Sequence, residues 1–229
     1  LSLLNNLGIK TSFQGKLIKV ENLEKIQEKC INVESDWSSA SYWYSIVAFS
    51  IRAEVRLNNF YKKSIQGDSV LVKYYKELGV DTKFVENKII LTKIKNFTPP
   101  KHLTLNLVDS PDLAQTIAVT CFGLKIHCFL DGLQTLNIKE TKRLNALKNE
   151  LTKLGANVQV TESSLKIFEA QRLKKNIIIN TYHDHRMAMS FAPLSLKIPI
   201  SIENPNVVVK SYPGFWDDLK KAGFIIKPI

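Results

Sequence analysis

The chain has 229 residues, 45% of them hydrophobic and 23% charged, the balance of an ordinary globular protein rather than a disordered or fibrous one. Its net charge of +11 calls for anionic partners, but the lysines are scattered and lack interleaved aromatics, which argues against a nucleic-acid-binding tail. No apolar run reaches the roughly 18 residues of a membrane span and no secretory leader is apparent, so neither membrane nor nucleic acid is expected as a partner.

The cysteines are Cys30, Cys121 and Cys128, an odd set without metal-ligand spacing. Cys121 and Cys128 lie among apolar residues, which predicts buried, reduced thiols and a cytoplasmic location. The opening LSLLNNLGIK reads as though it starts partway through a helix, so the chain is expected to be a piece of a longer protein.

In chain order, Leu3 to Gly8 predict the end of an amphipathic helix closed by a glycine C-cap. Strands follow at Ile9–Phe13 and Leu17–Val20. The same phrase recurs: VKYYKELGVDTKFVENKIIL closes a helix at Gly79, LKNELTKLGANVQVTESSLKI closes one at Gly155, and FWDDLKKAGFIIKPI does so at Gly223. A second phrase, small or polar residues ahead of an apolar helix, appears in SDWSSASYWYSIVAF, DSPDLAQTIAVTCF and YHDHRMAMSFAPL. It recurs 74 residues apart, on Ala40, Ala114 and Ala188. Two interleaved phrases at one spacing are the signature of an internal repeat. Single strands are expected at Ala53–Leu57, Lys125–Leu130 and Pro199–Ile202, with Leu103–Val108 and Ile177–Asn180 leading into the second and third copies. The prediction is an α/β fold of three βαβαββ-like units.

The repeat makes Ser38, Asp112 and Arg186 equivalent, each at the entrance of an equivalent helix. If the three helix N-termini converge, they offer free N–H groups and positive dipole ends to an anion.

Four segments carry candidate chemistry. In NIKETKRL, Lys139, Glu140 and Arg143 fall at an expected helix start, with Lys139 and Arg143 on one face. A carboxylate between two cations suits a site that grips an anion and moves a proton; the plain alternative is a solvated, salt-bridged helix face. SPDLAQT has the form of an N-cap with Pro111 at the first helical position and Asp112 in the first turn. There Asp112 serves the helix dipole, or accepts a proton from a substrate hydroxyl. In YHDHRMAMSF, Asp184 is expected as N-cap, with Arg186 facing a site and His185 beside it; two histidines two apart without a third ligand make a poor zinc site. VVVKSYPGFW is expected to end a strand and deliver Lys210 before a Pro-Gly turn, where phosphate grips are found. No Gly-rich phosphate loop, GxSxG elbow or CxxC pair is present.

Taken together, SDWSSASYW, SIQGDS, PDLAQTIAV, GLQTLNIKETKRL, DHRMAM after a tyrosine, and VVVKSYPGFW resemble the 5-enolpyruvylshikimate-3-phosphate synthase family, in the family's order and over nearly the whole chain. The resemblance implies a fold of two domains, each an inverse α/β barrel of three βαβαββ units about a pseudo-threefold axis. It implies that residues 1–34 finish the first, shikimate-phosphate-gripping domain and that 35–229 form most of the second. The missing N-terminal half of the same enzyme would then be a partner, and its extreme N-terminus would complete the second domain. The complete enzyme is expected to be a monomer that needs no cofactor and no metal.

The reaction implied is transfer of enolpyruvate from phosphoenolpyruvate to the 5-hydroxyl of shikimate 3-phosphate, through a tetrahedral intermediate, with release of phosphate. By motif, Asp112 resembles the carboxylate that binds the shikimate hydroxyls and takes the 5-hydroxyl proton. Lys139 resembles a contact to shikimate 3-phosphate, and Glu140 the acid/base at the phosphoenolpyruvate methylene. Arg143, Arg186 and Lys210 match the cations that hold phosphoenolpyruvate, with His185 lining the site. Two positions depart from the pattern: Lys142 stands where the family usually has Asp, and Thr135 where some members have an Asn that contacts substrate. The cations and serines of the first domain are absent, so this chain alone is expected to be inactive or nearly so. Alternatives are the related UDP-N-acetylglucosamine enolpyruvyl transferase and a non-catalytic anion- or nucleic-acid-binding fragment.

Overall fold

The computed structural model describes residues 1–23, 25, 28–168 and 173–228; the remaining parts of the expected 1–34 and 35–229 spans fall outside the described residues. Contacts divide the chain into an N-terminal segment, Leu1–Ser35, and a main body, Asp36–Ile229. The segment holds α1 (Ser2–Asn6) and the antiparallel hairpin of β1 (Thr11–Gln14) and β2 (Leu17–Val20). Its Phe13, Leu17, Ile18 and Val20 are exposed.

The main body runs α2 (Trp37–Phe49), β3 (Glu54–Asn58), α3 (Leu71–Lys76), β4 (Val80–Val85), β5 (Lys88–Lys93), β6 (His102–Asn106), α4 (Ala114–Gly123) and β7 (His127–Asp131). It continues with α5 (Arg143–Lys153), β8 (Val158–Val160), β9 (Leu165–Ile167), β10 (Ile177–Ile179), α6 (His185–Phe191), β11 (Ile200–Ile202) and α7 (Phe215–Lys221). The helices preceding the recurring Leu-Gly or Ala-Gly phrase do stop there: Gly8, Gly79, Gly155 and Gly223 have φ of 92°, 88°, 101° and 95°. That left-handed conformation is open to glycine without a Cβ penalty, so it closes a helix cheaply.

The strand order of the middle sheet, β6-β7-β9-β8, contains the other two. Its β7-β9-β8 part has the order and antiparallel pairing of β3-β5-β4. Its parallel β6–β7 pair has the counterpart β10–β11, also parallel. Strand boundaries differ from the sequence expectations by one or two residues. The strand expected from Lys125 starts at His127, because Lys125 sits at φ 60°, outside extended backbone.

Two expectations about local structure are corrected. VVVK is no strand: Pro205–Lys210 is a 3-10 turn, a β-branched run bent because Pro205 begins it with a fixed φ and no N–H to give to a ladder. NIKETKRL does not start a helix at Lys139. A 3-10 turn covers Gln134–Ile138, Lys139 is extended, and α5 begins only at Arg143. Lys139 and Arg143 therefore do not share a helix face.

Packing explains how the helix entrances meet. Every residue of α4 is buried, and small hydroxyl residues let α2 and α6 approach it closely. Ser41 Oγ on α2 lies 3.0 Å from Thr116 Oγ1 on α4, which lies 3.1 Å from Ser190 Oγ on α6. Ser45 and Thr120 repeat the contact one turn on, at 2.8 Å. Each of these five hydroxyls thus has a partner, as burial of polar groups requires. Cys121 and Cys128 are buried free thiols. No described helix is long and apolar enough to cross a membrane.

Candidate active site

The site grows out of one side chain. Arg143, the first residue of α5, is 1% exposed. A guanidinium cannot lose its charge, so burial demands carboxylates and filled donors. Three carboxylates meet it: Nε donates to Asp184 Oδ2 at 2.6 Å, NH1 to Asp112 Oδ1 at 2.8 Å and NH2 to Glu140 Oε2 at 2.6 Å.

Each partner is fixed by its own element. Pro111–Leu113 forms a 3-10 turn that runs into α4, and Asp112 projects from it. Ser110 makes no side-chain cap there, contrary to the N-cap reading of SPDLAQT. Asp184 is the N-cap of α6, as expected, and accepts Arg186 N at 2.8 Å. Glu140 lies in the loop ahead of α5, where its second oxygen accepts Lys210 Nζ at 2.6 Å.

The three equivalent helix entrances converge. Arg186 donates from NH2 to Asp112 Oδ2 at 3.1 Å and to Ser38 Oγ at 3.3 Å, and from NH1 to Asp112 O at 3.3 Å. Ser38 in turn donates to Asp68. Lys139 Nζ lies 3.4 Å from Asp112 Oδ1, and His185 Nδ1 lies 3.9 Å from Glu140 Oε1. Of the sequence-predicted residues, Asp112, Lys139, Glu140, Arg143, His185, Arg186 and Lys210 thus come together. Thr135 is exposed on the preceding 3-10 turn and is not bound into this cluster.

Electrostatics follows from these contacts. Burial pushes the Asp112 carboxyl up, but Arg186, Arg143 and Lys139 outweigh it and hold it below the usual carboxylate range. Burial also pushes Glu140 up, yet hydrogen bonds from Lys210 and from its own backbone, with the charges of Arg143 and Lys210, bring it down to about 2. Burial, the largest effect on His185, lowers its pKa below the ordinary value despite Asp184 and Glu140 nearby, so the ring is neutral at pH 7. The pocket therefore sets ionised Asp112 and Glu140 among four cations, Lys139, Arg143, Arg186 and Lys210. Lys210 is the most exposed of those cations, at 59% of its side chain, and buried Arg186 Nε has no partner. No group of three or more metal-ligating side chains occurs among the described residues.

Sequence reasoning missed two parts of this arrangement. Asp184 was legible as a cap but not as the partner of Arg143, 41 positions away. Asp68 gave no signal beyond its place in SIQGDS; burial pushes its carboxyl up, against the hydrogen bond from Ser38.

Residues 1–219 match a family model described as EPSP synthase (3-phosphoshikimate 1-carboxyvinyltransferase). The chain belongs to the EPSP synthase family. A relative from Bacteroides fragilis carrying the second of those names is 48% identical over 198 residues, covering 85% of this chain and 48% of its own length. One from Methanocaldococcus jannaschii is 33% identical over 231 residues, covering 97% and 51%. The chain spans about half the length of these EPSP synthase family relatives. Among solved structures, an EPSP synthase from Acinetobacter baumannii aligns with a TM-score of 0.79 at 23% identity, over 98% of this chain and 54% of that one. The enolpyruvyl transferase NikO from Streptomyces tendae aligns at 0.66 and 15%, over 99% and 52%. Both likenesses speak for a shared α/β fold.

Proposed function

We propose that this chain carries the phosphoenolpyruvate-handling half of an enzyme that transfers enolpyruvate from phosphoenolpyruvate to the 5-hydroxyl of shikimate 3-phosphate. The observation that carries the reading is the convergence of Asp112, Glu140 and Arg143 with Lys139, Arg186 and Lys210 in a protein of the EPSP synthase family.

The chemistry fits the charges. Phosphoenolpyruvate presents a carboxylate and a phosphate, which Arg186 and exposed Lys210 can grip, while Arg143, enclosed by its three carboxylates, completes the set of phosphoenolpyruvate-holding cations. Asp112, ionised and among the cations, takes the proton of the 5-hydroxyl as that oxygen bonds to C2 of phosphoenolpyruvate. Glu140 gives a proton to the methylene carbon, making the tetrahedral intermediate. The C2–O bond to phosphate then breaks while Glu140 recovers a proton from the new methyl group, and the cations hold the leaving phosphate. Bonded to Lys210 and Arg143, Glu140 is far too acidic to hold that proton. A hydrogen bond from Lys210 is the foremost influence lowering it, so a turn of Lys210 towards phosphoenolpyruvate restores proton affinity to Glu140. Lys139 contacts shikimate 3-phosphate, His185 lines the site, and Thr135 is a weaker contact candidate. No metal or cofactor enters this scheme.

The same reading assigns residues 1–34 to the end of a first domain and 35–229 to most of an inverse α/β barrel with pseudo-threefold symmetry. The 74-residue spacing and the shared sheet order support it. Among the described residues β10–β11 is a two-stranded sheet and the middle copy a four-stranded one, which suits completion by the extreme N-terminus of a monomeric, cytoplasmic enzyme. The missing half would also supply the other wall of the shikimate-phosphate site.

Phosphate release tests the reading. This chain co-expressed with the N-terminal half should release phosphate from phosphoenolpyruvate when shikimate 3-phosphate is present. Release with UDP-N-acetylglucosamine instead would favour the amino-sugar transferase. Silence from a folded, associated pair would favour a non-catalytic fragment.

A further inference from the structure

Outside the described machinery, the most deeply buried charge is Glu150, on α5, with 0% exposure. It lies seven residues, two helical turns, beyond Arg143, so the two share a face with Leu147 between them. Both reach the same turn. Glu150 Oε1 accepts Tyr182 OH at 2.7 Å and Oε2 accepts Asn180 N at 3.1 Å, with Lys153 Nζ at 2.8 Å supplying the counter-charge. Arg143 reaches Asp184 at the turn's other end.

That turn needs holding. Tyr182 and His183 are consecutive non-glycine residues at φ 54° and 56°, a left-handed conformation that side chains disfavour and that persists only where surroundings impose it. The turn sets the direction of Asp184, and through the Asp184 cap the position of Arg186.

We propose that Glu150 is a positioning residue: its carboxylate pins the strained Tyr182–His183 turn and thereby aims Asp184 and Arg186 at the anion site. Its value for catalysis rests on the transferase reading; the pinning does not. Glutamine keeps the size of Glu150 but supplies one acceptor oxygen in place of two and no charge for Lys153.

The test is hydrogen exchange by NMR on this chain. In Glu150→Gln, the Arg186 amide should exchange at least tenfold faster than in wild type and the Arg143 Nε–H resonance should shift. Amides of α4 should keep their protection, which a general loss of stability would not allow. Tyr182→Phe, which removes one of the bonds, should accelerate Arg186 exchange less, and decides the matter if Glu150→Gln does not fold. Unchanged Arg186 protection in the folded variants overturns the proposal. In the complete enzyme, Glu150→Gln should raise the half-saturating phosphoenolpyruvate concentration at least tenfold with kcat changed much less. A loosened turn with unchanged phosphoenolpyruvate affinity also overturns the positioning role. A wild-type complete enzyme that ignores phosphoenolpyruvate counts against the transferase reading, while the exchange result still decides the pinning.

Discussion

Arg143 and Asp184 are exposed at 1% and 0% of their side chains, so neither can fall back on water if the other is removed. Breaking a buried pair from one side costs about 3–5 kcal/mol, mostly the penalty of a stranded charge. Asp184→Ala should therefore lower the urea unfolding free energy by about that much; a loss below about 1 kcal/mol would mean Asp112 and Glu140 suffice for Arg143. Glu140 makes a pH prediction. Its carboxyl titrates at about 2 when folded and ordinarily at 4.5, and a depressed carboxyl stabilises the fold above its ordinary pKa. As pH falls from 4.5 towards 2 the unfolded chain takes up the proton first, so the contribution fades. Asp112 and His185, also lowered, act with the same sign, His185 from its ordinary 6.5 downward. Glu140→Gln should lose less stability than wild type between pH 5 and pH 3, measured by urea midpoints; equal losses would contradict the assignment. The residues meeting at Arg143 were nameable from sequence because they lie in the motifs that carry the family resemblance. Who pairs with whom was not, since Arg143–Asp184 and Lys210–Glu140 span 41 and 70 positions.

At the scale of elements, the start of α5 is weak. Lys142 is its N-cap and offers no side-chain acceptor, so the free N–H groups of the first turn lack the partner that Asp, Asn or Ser gives. Lys142→Asp should raise stability by about 1 kcal/mol, read as a higher melting temperature; a fall would show that a further carboxylate beside Arg143 costs more than the cap supplies. The α2–α4–α6 contact is tested by Thr116→Val, which keeps shape but leaves Ser41 and Ser190 without the hydroxyl between them. The expected loss is about 1–3 kcal/mol, and no loss would mean these helices pack by shape alone. The glycine-closed helices were legible because glycine is the residue a left-handed cap selects. The 3-10 turns at Gln134–Ile138 and Pro205–Lys210 were not, because segments of five or six residues are too short to carry a period that separates strand or helix from turn.

For the whole molecule, the 74-residue period was visible because the same two phrases occur in three copies, and the sheets repeat in kind. Their strand order was not visible, since pairing between β7 and β9 leaves no mark in either strand alone. The convergence of Ser38, Asp112 and Arg186 rests on the packing of α2 and α6 against α4, and the proposed proton transfer to Asp112 depends on it. One measurement tests this most directly: phosphate release from phosphoenolpyruvate and shikimate 3-phosphate by this chain co-expressed with the proposed N-terminal half, wild type against Asp112→Asn. The expected result is a fall of about a hundredfold or more, the usual contribution of a positioned general base, with the protein still folded. Release undiminished in Asp112→Asn would contradict the account.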